Sequence, residues 1–201
     1  MDISKSIQES FTLYRQNFGT ILLATLLVSV GCVISVGILA GPLAGGMLML
    51  CLKRMRGEDA GVGEIFSYFN KFVPTFIIVM ALWLTMLITA GLGSIPVIGY
   101  LIQLVIGPAA GIVFVLAVGL VVERNVEPIA ALKQAIDCFM TNPLMIWFYS
   151  FIISFLSSCG AFLFLIPVVL TMPLGTTGMA IAYQELVGRK VIMIEKMEEP
   201  Q

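Results

Sequence analysis

The side chains in this 201-residue sequence that could carry chemistry are each restricted by their surroundings. Serine and threonine are plentiful, but histidine is absent, so a Ser-His-Asp relay is impossible. A Ser-Lys dyad would need a lysine at a serine's depth, and Lys53 stands at the edge of an apolar run. The carboxylates Glu58, Asp59 and Glu64 could chelate a hard cation weakly, but their setting reads as a solvated loop. Cys32, Cys51, Cys138 and Cys159 show no CxxC or CxxH spacing and read as reduced thiols packed as small apolar groups. The twelve methionines are scattered, which argues for adaptable packing over a copper site. Glycine-rich pieces do not follow a strand, so no phosphate-binding loop is indicated. The sequence therefore predicts no catalytic, cofactor-binding or metal residue, and a protein that is not an enzyme.

Two sets of candidates remain. Lys53, Arg54 and Arg56 form a basic cluster that could meet anionic lipid headgroups, at about 1 kcal/mol per charge near a surface. The same cluster also suffices as a topology signal. Gly45, Gln103, Gly111, Thr176 and Gly178 are candidate linings of a pore or cavity. The competing reading gives the glycines to close helix packing and the hydroxyls to helix carbonyls.

The elements that must position these residues follow from composition. The chain is 59% hydrophobic and 11% charged, with mean hydropathy +1.04. That is too little charge to coat a soluble surface. Ile21–Leu39, Phe76–Leu92 and Leu144–Leu170 carry no charge, and a span needs roughly 20 apolar residues. The net charge of −1 gives no basic field for nucleic acid. A cleaved signal peptide is not expected, because the first apolar run is too long and follows an amphipathic segment bearing Asp2 and Glu9.

One unit is used three times. Gly41–Glu58, Gly107–Arg124 and Met172–Arg189 each open on proline and small residues, become apolar, and end in charge. Their prolines, Pro42, Pro108 and Pro173, stand 66 and 65 residues apart. Amphipathic segments at 2–17, 62–71 and 128–140 precede odd-numbered spans at 18–38, 73–90 and 144–165. The first of these segments carries the stripe Ile3, Ile7, Phe11 and Tyr14. Asp2 or Ser4 is a candidate helix cap. Asn17, Asn70 and Asn142 mark the breaks, and Gly57 stops the second span. The longer connection Gly91–Gly107, with Pro96, Gly99, Tyr100 and Gln103, reads as a kinked or broken helix. Trp147 and Tyr149 suit a wet membrane edge, and Pro167 a turn.

The expected fold is an all-α integral membrane protein of six transmembrane helices in three parallel repeats, each an interfacial amphipathic helix plus a transmembrane hairpin. The units are 1–60, 61–126 and 127–190, with 191–201 a cytoplasmic tail. All eleven Lys and Arg fall on one side in this scheme, so both termini are cytoplasmic. Small pairs such as Gly41-x-x-x-Gly45, Gly107-x-x-x-Gly111 and Gly175-x-x-Gly178 place the even spans in close central contact.

At Leu52–Asp59, LKRMRGED, followed by Glu64–Phe72, EIFSYFNKF, the chain resembles a group of uncharacterised prokaryotic membrane proteins that includes the YciC-like families. The resemblance is specific in Lys53–Phe72 and implies a six-span membrane protein, with no catalytic residue carried over. The expected role is a non-enzymatic component of a bacterial or archaeal cytoplasmic membrane that contacts lipids or binds a protein partner on its cytoplasmic face, with homo-oligomers allowed. The alternative is a passive channel or carrier for an apolar or neutral solute or lipid.

Overall fold

The computed structural model describes residues 3–92, 96–158 and 165–198, and side chains within 5–91, 101–157 and 172–188. The described residues form eight α-helices: α1 (Ile3–Gln16), α2 (Phe18–Ile34), α3 (Ala40–Met55), α4 (Phe72–Leu92), α5 (Pro96–Arg124), α6 (Pro128–Thr141), α7 (Pro143–Ser158) and α8 (Leu165–Glu198). Two 3-10 turns, Val62–Phe66 and Phe69–Lys71, join α3 to α4. Asp2, the Cys159 thiol and the side chains of Ser4, Pro96, Tyr100 and Pro167 lie outside the described residues.

Among the described residues, two helices are long and apolar enough to cross a membrane, within Val62–Gly91 and Leu101–Arg124. There are up to four if two bent pairs each count as one span: α1 with α2, at 95°, and α6 with α7, at 102°. Asn17 and Asn142 sit at those bends, as the sequence predicts. The α2 and α3 helices have 17 and 16 residues, so they reach about 25 Å at 1.5 Å per residue, short of a hydrocarbon core of ~30 Å.

One local expectation takes definite form and two change. The Gly91–Gly107 connection is helical from Pro96, and α5 runs on through Pro108. Pro108 lacks the N–H that would bond the Leu104 carbonyl, and its ring crowds that carbonyl. In the same turn Trp147 donates its indole N–H to the Val105 carbonyl at 2.7 Å, and Ser150 donates to the Pro108 carbonyl at 2.8 Å. The α7 helix thus supplies hydrogen bonds where proline weakens the helix's own. Pro167 lies in the first turn of α8, where proline costs little, instead of forming a turn. Tyr149 is fully buried and donates to the Gly178 carbonyl at 2.8 Å, so it holds α7 on α8 rather than edging a bilayer.

Gly57 ends α3 as expected. It adopts φ +78, with Glu58 N–H bonded to the Lys53 carbonyl and Gly57 N–H to the Arg54 carbonyl, a Schellman closure. The segment after it folds back along α3. A Cβ placed on Gly46 would lie 2.3 Å from the Ile65 carbonyl oxygen, so only glycine admits this approach. Ile65 is fully buried there.

The amphipathic helices turn small residues inward. On α1 the buried row is Ser6, Ser10 and Leu13, while Phe11 of the apolar stripe is 52% exposed. On α6 it is Ala131, Ala135 and Cys138, with Ile136 exposed. Small side chains let these helices lie close to the bundle and leave their bulky apolar residues facing out.

Helices α3, α5 and α8 touch one another. Each is flanked by two of the three helices α2, α4 and α7: α2 and α4 on α3, α4 and α7 on α5, and α7 and α2 on α8. The segment 62–66 lies on α3, α6 on α5, and α1 on α8.

Candidate functional site

The line where α3, α5 and α8 meet is filled. A Cβ on Gly45 would stand 2.6 Å from Val122 and 3.3 Å from Val118, and one on Gly119 would stand 2.3 Å from the Tyr183 ring and 2.7 Å from Leu48. Gly45 is therefore a packing glycine rather than a pore lining. Gly178 packs on Ile153 of α7, with a Cβ placed at 2.7 Å. Among the described residues, Gly111 has no heavy atom of another element within 4 Å of where its Cβ would be, so the Gly107–Gly111 pair makes no close helix contact. Gln103 donates to Met86 sulfur at 3.2 Å and accepts from Thr89 at 3.4 Å, bridging α5 to α4 away from that line.

The basic cluster is already paired. Lys53 Nζ bonds Glu64 Oε1 at 2.7 Å, and Tyr68 OH donates to the same oxygen at 2.9 Å. Hydrogen bonding to Glu64 raises Lys53 above its ordinary value of 10.5, and the bond from Lys53 lowers Glu64 below 4.5, against burial. Arg54 donates Nε–H to the Ala60 carbonyl at 3.0 Å and pairs through Nη2 with Asp59 at 3.2 Å. Arg56 pairs with Glu123. Glu123 also accepts from Tyr183 OH at 2.7 Å, so one carboxylate ties the ends of α3 and α5 to α8. Lys71 donates to the Asn125 side chain. The three cations are therefore each engaged and do not form one free positive patch.

A sizeable apolar cavity lies to the side. A groove of about 610 Å³ runs among α2, α3, α5, α7 and α8, with Val33 (78% exposed) and Met172 on its rim. Met47, Leu48 and Val115 form its apolar wall, and Thr25, Ser29, Ser154 and Thr176 add hydroxyls. Thr25 and Ser29 donate back to the carbonyls four residues earlier, at 2.8 Å each, which leaves the lining nearly without free donors. Of the predicted lining residues, only Thr176 reaches this groove.

Sequence reasoning missed Glu123, Tyr183 and Gly119. Gly119 carried a usable signal, a lone glycine inside the branched run Leu116–Val122. Among the described residues no cluster of His, Cys, Asp and Glu could hold a metal. No family model, curated protein or solved structure matches the chain.

Proposed function

We propose that the protein is a non-enzymatic, multi-pass protein of a prokaryotic cytoplasmic membrane, and that its lateral groove holds the apolar chain of a membrane lipid. The observation that carries this is the groove itself: a volume of about 610 Å³, apolar walls, internally bonded hydroxyls, and a rim of exposed Val33 and Met172. Its size is that of a small-ligand pocket, roughly 300–1,000 Å³. A chain needs no hydrogen bonds, and this lining offers few.

In this reading the chain forms six membrane segments with both termini cytoplasmic, built from one unit in triplicate. The cyclic pattern of helix contacts supports it: each proline-led helix is flanked by its neighbours in the same order and carries one short segment on its side. Membership of the YciC-like group is proposed on Lys53–Phe72 alone. A pore along the α3–α5–α8 line is the weaker reading, because Val122, Leu48 and Tyr183 fill it.

Photoactivatable acyl lipid tests the groove. Labelling should concentrate at Cys32, Ser29 and Thr176, and Ala44→Trp, which fills the groove, should abolish it. Equal labelling of Leu87, which is 72% exposed on α4, would refute a dedicated chain site.

A further inference from the structure

A second opening differs in chemistry from the groove. A cleft of about 380 Å³ lies between α1, the last turn of α3, and α8. Glu9, Thr12 and Gln16 line it from α1, Arg54 from α3, and Gln184 from α8, with Leu13 as an apolar floor. One carboxylate and one guanidinium thus face a shared space beside two amides. A simple anion would meet Glu9, and a simple cation would meet Arg54. A group bearing both charges satisfies both.

Each charge has capacity left. Arg54 uses two of its five N–H donors, on the Ala60 carbonyl and on Asp59. Asp59 is 97% exposed, and such a surface pair contributes little, so an incoming anion can replace it. Among the described residues, Glu9 pairs with the exposed Lys5 ammonium at 3.9 Å, a long surface contact. Leu13, Met55 and Ile181 add an apolar side to the same cleft, as an amphiphile would require.

We propose that this cleft binds the zwitterionic headgroup of an aminophospholipid, with the phosphate on Arg54 and the ammonium on Glu9. The amides of Gln16 and Gln184 supply further donors and acceptors for the phosphate and glycerol oxygens. The site is separate from the groove, so loss of headgroup selectivity with acyl labelling intact, or the reverse, tells the two proposals apart.

The test measures lipid retained by the purified full chain in detergent micelles doped with either phosphatidylethanolamine or phosphatidylglycerol, read by native mass spectrometry. The wild type should retain phosphatidylethanolamine several-fold better. Glu9→Gln should erase that preference and leave phosphatidylglycerol retention unchanged, and Glu9→Lys should reverse it. Arg54→Gln should weaken both, and if that variant fails to fold, the two Glu9 variants decide the matter alone. Equal retention of both lipids by the wild type, or a preference that survives Glu9→Gln, would overturn the proposal. Glycerophosphoethanolamine should compete weakly. If it bound more tightly than the lipid, the site would belong to a soluble zwitterion instead.

Discussion

At the scale of single residues, two glycines of α5 have opposite environments. Gly119 has Tyr183 and Leu48 where its Cβ would go, and among the described residues nothing lies within 4 Å of where the Cβ of Gly111 would be. Gly119→Ala should destabilise the fold by about 1–3 kcal/mol through overpacking. Gly111→Ala should stay within about 0.5 kcal/mol, as surface changes do. Denaturation of both variants in mild detergent by SDS titration checks the contrast. Val36, between α2 and α3, adopts φ +51, a region that β-branched residues avoid. It is exposed, so nothing packs to hold it there. Val36→Asn should raise stability by about 1 kcal/mol, because asparagine tolerates that conformation; an unchanged or lower melting temperature would argue against strain at this turn. Glycine position was legible in the sequence, but glycine role was not, since periodic small residues mark a face without saying whether anything lies against it.

At the scale of elements, the contact between α5 and α7 depends on Pro108. The indole of Trp147 reaches a carbonyl in the turn that proline weakens. Trp147→Phe should cost about 1 kcal/mol, and less in a Pro108→Ala background, where the turn can close on itself. A double-mutant cycle measures that coupling, and strictly additive effects would deny it. The loop after α3 has its own signature in acid. Glu64 is held below 4.5, so its pairing stabilises fully above that value and is lost as pH falls through the depressed one. Lys53 is raised above 10.5, so its share persists below that value and is lost only as pH rises past the raised one. The melting temperature of the wild type should therefore fall more steeply on acidification than that of Glu64→Gln, with the two curves flat relative to each other around neutrality. The sequence showed this loop's charges, but the pairing of Lys53 with Glu64 requires the chain to fold back along α3, and that return depends on Gly46.

At the scale of the whole molecule, helix content and helix breaks were the readable part. Apolar runs, Asn17, Gly57 and Asn142 marked helices and bends correctly, because local propensity and breakers act over a few residues. Whether the axis is open, as the alternative channel reading needs, was not readable, since it depends on which faces meet. The groove was invisible for the same reason: its lining comes from five helices, and only Thr176 was singled out beforehand. Cysteine-accessibility scanning should place Gly57–Val62 and Asn125 on the cytoplasmic side; labelling from outside would break the six-segment topology.

The right-angled joints at Asn17 and Asn142 have a mechanical consequence. The limb before each joint carries fixed charge, Lys5, Glu9 and Arg15 on one and Lys133 and Asp137 on the other, so it cannot follow the apolar limb into hydrocarbon. In the proposed bilayer setting, each elbow acts as a depth stop. A bilayer of altered thickness would then have to adjust to two fixed depths on the protein.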